Sequence, residues 1–247
     1  MPIFRLNKSI EFPSPELAEP NGLLAIGGDL SVARLLQAYR QGIFPWYNQG
    51  SPILWWSPAP RFILFPEEYH LPKRFSRTLK TRPFTVTADQ DFTGVIENCA
   101  EFRGKNREKT WITGPMKKAY IDLHKLGYAH SIECWQGKKL AGGLYGIALD
   151  RVFFGESMFS AEKDASKFAL YALIRQVKSS EIRLIDCQVK TEHLSRFGAR
   201  EIPRQDFQNI LARNVRRVEP QKKWRLFRTD KEGISRTDAC QEDTKGY

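Results

Sequence analysis

The 247-residue chain is poor in cysteine and histidine and has no long apolar run, and each shortage removes a class of protein. Its four cysteines, Cys99, Cys134, Cys187 and Cys240, stand far apart with no CxxC pair. That spacing offers neither a disulfide framework nor a zinc site. The four histidines are scattered too, and His130 near Cys134 makes no ligand set by itself. No metal and no cofactor are therefore expected, and a reduced, cytoplasmic setting fits. The longest purely apolar run, Phe168 to Ile174, is seven residues. A membrane span needs about 20. The opening MPIFRLNKSIEFPSP lacks an apolar signal core, so neither secretion nor a membrane anchor is expected.

What the chain has is positive charge and aromatic residues. Lys and Arg number 39 against 28 Asp and Glu, a net charge of +11. A surplus of that size suits an anionic partner, either nucleic acid or an acidic membrane surface, and plain solubility charge is the competing reading. Residues 213 to 228 hold seven basic side chains and one acid, more than half of the surplus. Residues 73 to 82 add five basics and no acid. Hydrophobic residues at 41% and aromatics at 12% suffice for a folded core.

The first 65 residues are punctuated by Pro, Gly and Trp around one helix. Ser31 is its N-cap, Val32, Leu35, Leu36 and Tyr39 its apolar stripe, and Gly42 its end. From Phe84 the rhythm changes to strand, helix (Phe92 to Cys99), helix (Thr113 to Gly127) and a meander of HSIECW, KLAGGLYGIAL and VFFGESMF. A helix over 161–178, the strand RLIDCQV, the short helix EHLSRFG and the strand ARE follow. The last 19 residues are polar and expected to be disordered.

Period two along RLIDCQV puts Asp186 and Gln188 on one face and Ile185, Cys187 and Val189 on the other. Two readings fit: a solvated sheet face, or a site that orients an amine or a carbonyl. Glu156 lies among Phe153, Phe154, Met158 and Phe159, where a carboxylate needs a partner, either a structural Lys or Arg or a cationic ligand. The aromatic pieces PWY (45 to 47), WW (55 to 56), TWIT (110 to 113) and Tyr120 are core or a stacking surface for bases.

The element order is similar to the acetyltransferase-type (GNAT) fold. The Q/R-x-x-G-x-G/A loop that holds a coenzyme A pyrophosphate is absent, and FSAEKDASK stands after the central strand instead. The expected fold is thus α+β. It comprises a small Pro/Trp-rich N-terminal domain (1–65), a GNAT-like mixed-sheet domain (66–228) and a polar tail (229–247).

The strings EPNGLLAIGGDLS, ARLLQAYRQGIFPWY, PILWWSPAPR, TWIT, AYIDLHKLGYAHSIE, GGLYG, FFGESMFS and LIDCQV, with GAREIPR, run in order from about residue 10 to 210. They resemble the leucyl/phenylalanyl-tRNA–protein transferases. That resemblance implies an enzyme moving Leu or Phe, with Met a third candidate, from aminoacyl-tRNA to the N-terminal Arg or Lys of a protein. This marks the acceptor for N-end-rule degradation. The partners implied are Leu-tRNA, Phe-tRNA and such proteins. The aminoacyl pocket maps onto Tyr39, Trp46, Trp111, Tyr120, Leu144 and Phe153, and the polar site onto Glu156, Asp186 and Gln188. Leu144 stands where the family often has Met. Ester-to-amide transfer runs downhill without ATP. Asp186 is expected to attract the acceptor ammonium, Gln188 to hold the geometry, and Glu156 to meet either the acceptor side chain or the ribose. The basic stretches are expected to grip tRNA phosphates. An acyltransferase with another donor, a cell-wall aminoacyltransferase and a non-catalytic RNA-binding module are the alternatives.

Overall fold

Ser31 opens helix α1 (Val32–Arg40) by accepting the Arg34 N–H at 3.4 Å, as the sequence predicts. Gly42, at φ 71°, carries the chain out of the helix. The computed structural model describes residues 3–81, 84–105, 110–226, 229–230 and 233–234. Around α1 lie strands β1 (Phe4–Leu6), β2 (Leu23–Gly27), β3 (Phe44–Pro45) and β4 (Leu54–Trp56), in a sheet of order β1-β2-β4-β3. The sequence suggests only turns there. Strands of two to five residues between Pro and Gly are too short to show a period of two.

The main sheet has seven strands in the order β11-β5-β10-β9-β8-β7-β6. They are β5 (Arg61–Leu64), β6 (Thr85–Ala88), β7 (Ala129–Gln136), β8 (Lys139–Leu149), β9 (Val152–Ser160), β10 (Leu184–Gln188) and β11 (Arg200–Ile202). Only β9 and β10 pair in parallel. Strand β5 pairs between β10 and β11 although it precedes residue 65.

Alternation along β8 and β9 feeds two cores. Tyr145, Ile147 and Phe154 face one side with α1, α3 (Phe92–Lys105) and α4 (Gly114–Lys125). Leu144, Ala148 and Phe153 face the other with α2 (Lys73–Thr81) and α5 (Ala165–Lys178). The N-terminal sheet shares the first core through Leu24 and Trp55, and α1 through Tyr39. The structure is a mixed α+β fold in which both sheets meet on one hydrophobic interior.

Helix α5 starts four residues later than the sequence suggests. The Ala161 and Glu162 N–H groups both bond Ala141 O, and Asp164 at φ 70° breaks any earlier helical path. After α6 (Glu192–Ser195), a helix that the sequence analysis does not foresee, α7 (Arg204–Asn214), buries Phe207 and Leu211. Residues 215–226 then run back over the body. Strands β12 (Thr229–Asp230) and β13 (Gly233–Ile234) form a two-stranded ladder. The remainder of the expected disordered tail lies outside the described residues. Among the described residues no helix is long and apolar enough to cross a membrane, and no group of His, Cys, Asp and Glu could hold a metal.

Candidate active site

Strands β9 and β10 pair only from Val152↔Leu184 to Phe154↔Asp186. Beyond that point β9 runs on beside β8 to Ser160, while β10 bulges between Asp186 and Gln188 and ends. The parted strands open a cavity of about 430 Å³. Trp46, Phe102 and Trp111 stand on its aromatic side; Leu144, Phe153, Leu170, Leu173 and Ile185 form an apolar wall. Glu156 and Gln188 face into it from the two parted strands.

Gln188 holds φ 63°, a left-handed backbone that non-glycine residues rarely adopt. Two hydrogen bonds fix it. Its N–H donates to Asp186 Oδ1 at 2.9 Å, and its side-chain Nε2 donates to Glu156 Oε1 at 2.8 Å. A strained backbone that its neighbours over-determine is a frequent mark of a working site.

Asp186 is where the structure corrects the sequence reading. Its side chain is fully buried and does not line the cavity. Arg61 Nε donates to Oδ1 at 2.8 Å and Arg61 Nη2 to Oδ2 at 2.6 Å. Paired with a guanidinium and outside the cavity lining, Asp186 does not offer a carboxylate to an incoming ammonium. It reaches the cavity only through the Gln188 backbone. The Arg61 guanidinium lies between the rings of Phe44 and Phe207, 5.0 and 4.6 Å from their centroids. Sequence reasoning passed over Arg61. The signal was there: one Arg inside the apolar strand RFIL requires a buried acid to pair with.

Glu156 is buried as well, but its partners are neutral. Tyr120 Oη donates to Glu156 Oε2 at 2.9 Å, and Gln188 Nε2 donates to Glu156 Oε1 at 2.8 Å. Among the described residues no Lys or Arg forms an ion pair with it. Of the two partners expected for Glu156, the structural cation is therefore not found. Burial pushes its pKa from the ordinary carboxylate value up to about 7, against the pull of the hydrogen bonds from Tyr39, Tyr120 and Gln188. Tyr39 and Tyr120, expected in the pocket wall, lie outside the lining and sit behind Glu156. Their hydroxyls bond each other, and burial raises both pKa values so that both stay protonated.

The two tryptophans of the cavity rim, Trp46 and Trp111, differ from Trp55 in exposure. Trp46 keeps 44% of its surface exposed and tilts against Trp56 at 5.8 Å, whereas Trp55 is wholly core. Trp111 is half-buried at the cavity edge. Leu144 and Phe153 line the cavity.

The helix that follows the central strand has no spare amides. The N–H groups of Ala165, Lys167 and Phe168 bond Glu162 O, Asp164 O and Asp164 O, and that of Ser166 bonds Ser160 Oγ at 3.1 Å. A helix start whose donors are consumed internally makes a poor pyrophosphate cradle.

Comparison with known proteins adds to this geometry. A family model described as leucyl/phenylalanyl-tRNA protein transferase matches residues 63–212, and one for the N-terminal domain of that transferase matches 28–59. The chain belongs to the leucyl/phenylalanyl-tRNA–protein transferase family. Relatives so named include one from Anaeromyxobacter sp. (strain K), 53% identical over 92% of this chain and 97% of its own length. One from Syntrophobacter fumaroxidans is 53% identical over 91% and 96%, and one from Pseudomonas syringae pv. syringae 52% identical over 84% and 91%. The transferase family models together span every cavity residue named above.

Proposed function

We propose that this protein is an aminoacyltransferase that moves Leu or Phe from tRNA to the N-terminal Arg or Lys of an acceptor protein. One observation carries the reading: Glu156, a buried carboxylate with no ion pair to Lys or Arg among the described residues, faces a largely apolar cavity between parted strands. An apolar slot separates side chains by only about 1–3 kcal/mol per methylene, so one slot takes both Leu and Phe. Trp46 and Trp111 stack the terminal adenine at its edge.

The acceptor arrives as an α-ammonium with a pKa of about 7.7–8.0. A base near pH 7 is matched to it, and Glu156 is such a base. The ammonium gives one proton to the Glu156 carboxylate. The freed amine attacks the ester carbonyl carbon, and its second proton passes through a ribose hydroxyl to the departing ribose oxygen. Amide and free tRNA result, and Glu156 returns its proton to water. The role first given to Asp186 thus passes to Glu156. Gln188 orients Glu156, and Asp186 with Arg61 holds Gln188 in place. Positioning of this kind supplies about 7–11 kcal/mol of rate enhancement. The occupied amides at the start of α5 speak against coenzyme A as donor.

Incubating the protein with Leu-tRNA and a peptide beginning with Arg tests the reading. Leu-Arg peptide is expected by mass spectrometry, with no acetylated peptide when acetyl-CoA replaces the tRNA. Absence of Leu-Arg product refutes it.

A further inference from the structure

The basic stretch after α7 is a built part of the fold. Val215, Trp224 and Leu226 are buried, while Arg213, Arg216, Arg217, Lys222, Lys223 and Arg225 are exposed. Backbone bonds tie the segment down at three points. The Arg216 N–H donates to Asp150 Oδ2 at 2.9 Å, the Gln221 N–H to Gly127 O at 2.8 Å, and the Trp224 N–H to Asp89 Oδ2 at 2.6 Å. Gly127 is required at its position: at φ 82° it turns the chain after α4, and a Cβ there would stand 2.5 Å from Gln221 O.

The third anchor is the most elaborate. Asp89 is buried and also accepts from the Ser131 N–H at 2.9 Å and bonds His130 Nδ1 at 2.7 Å. The His130 ring stacks flat on Trp224, 4.3 Å between centroids at 7°. Trp224 in turn packs on Phe153 at 5.6 Å, and Phe153 is a wall of the cavity. A buried carboxylate, an imidazole and an indole therefore clasp a segment with seven exposed residues, of which five are cationic and one, Glu219, is acidic.

We infer that residues 215–226 form a clasped basic strap that binds the phosphate backbone of the donor RNA. Asp89 and Trp224 act as positioning residues for Lys222, Lys223 and Arg225. The inference rests on the reading that the donor is a tRNA. A strap fixed before binding loses little chain entropy when its cations meet phosphates, so its grip exceeds that of a loose tail of equal charge. Its contact with Phe153 also places the RNA grip one residue from the aminoacyl wall.

Binding of deacylated tRNA, followed by fluorescence anisotropy across salt concentrations, tests this without any chemistry. Wild type is expected to bind with steep salt dependence. The exposed triple variant K222Q/K223Q/R225Q is expected to bind at least tenfold more weakly, with the log–log salt slope smaller by about 3, since each phosphate contact contributes about 0.9. Trp224→Ala keeps every charge and is expected to lose about tenfold in affinity at all salts. A control that neutralises Lys117, Lys118 and Lys125 on α4 should leave the slope unchanged. If wild type binds and the triple variant matches it within twofold, the strap inference is overturned while the transferase reading stands. If wild type does not bind tRNA, the transferase reading fails first.

Discussion

Gln188 Nε2 donates to Glu156 Oε1 at 2.8 Å across the gap between β9 and β10. That contact joins the two strands where their backbone pairing has ended, and it places two polar groups in a largely apolar cavity. Removing the Gln188 amide by Gln188→Ala frees Glu156 without opening the core. A fall of about 10²-fold or more in transfer rate is expected, as for loss of a positioned polar group in a transition state. The melting temperature should stay within a few degrees. A variant that is equally slowed and grossly unfolded would count against a site role.

Asp186 and Arg61 behave differently because both are buried. Asp186→Ala leaves the guanidinium unpaired between Phe44 and Phe207, at a cost of about 3–5 kcal/mol in stability. Thermal or urea unfolding checks it. Transfer is lost along with Gln188 positioning, and restoring the pair's shape with neutral groups (Arg61→Met with Asp186→Leu) should recover stability without recovering activity. Recovery of both would show that Gln188 needs neither partner.

Glu156 also links stability to pH. Its folded pKa of about 7 lies above its ordinary value, so folding favours the protonated form. The contribution is fully present below the ordinary carboxylate pKa and is lost as pH rises through about 7. Glu156→Gln imitates the protonated acid. The variant should match wild type near pH 5 and exceed it by a few kcal/mol, order of magnitude, near pH 8. Equal stability of the two proteins at both pH values would contradict a buried, unpaired carboxylate.

Much of this site could be read from the chain, and the failures have physical causes. The strand LIDCQ, the aromatic setting of Glu156 and the caps of α1 and α4 follow from local spacing, and the structure has them. The bulge at Gln188 is not local. It arises where β10 loses one neighbour and keeps another, so strand alternation alone could not separate the buried Asp186 from the cavity. Arg61 and Asp186 are 125 residues apart, beyond any periodicity. The short N-terminal strands carry too few residues to show a pattern, and α7 lies between the last expected strand and the basic stretch, in a segment to which the sequence reading assigns no element.

Donor preference should follow cavity volume. Leu144→Ala removes three methyl-sized groups from the wall and is expected to favour Phe over Leu by about tenfold, the worth of one or two methylenes. Competition between Leu-tRNA and Phe-tRNA in one reaction gives the ratio directly. An unchanged ratio would place the aminoacyl side chain elsewhere.

The pH dependence of acceptor kcat/KM is the most direct measure of what Glu156 does. With Leu-tRNA saturating and an Arg-initiated peptide varied, the wild-type rate should rise with pH through an apparent pKa of about 7. Glu156→Gln should be slower by about 10²–10⁴ and should lose that limb, keeping only the titration of the amine itself. A Glu156→Gln enzyme that keeps both the rate and the limb at pH 7 would contradict the account.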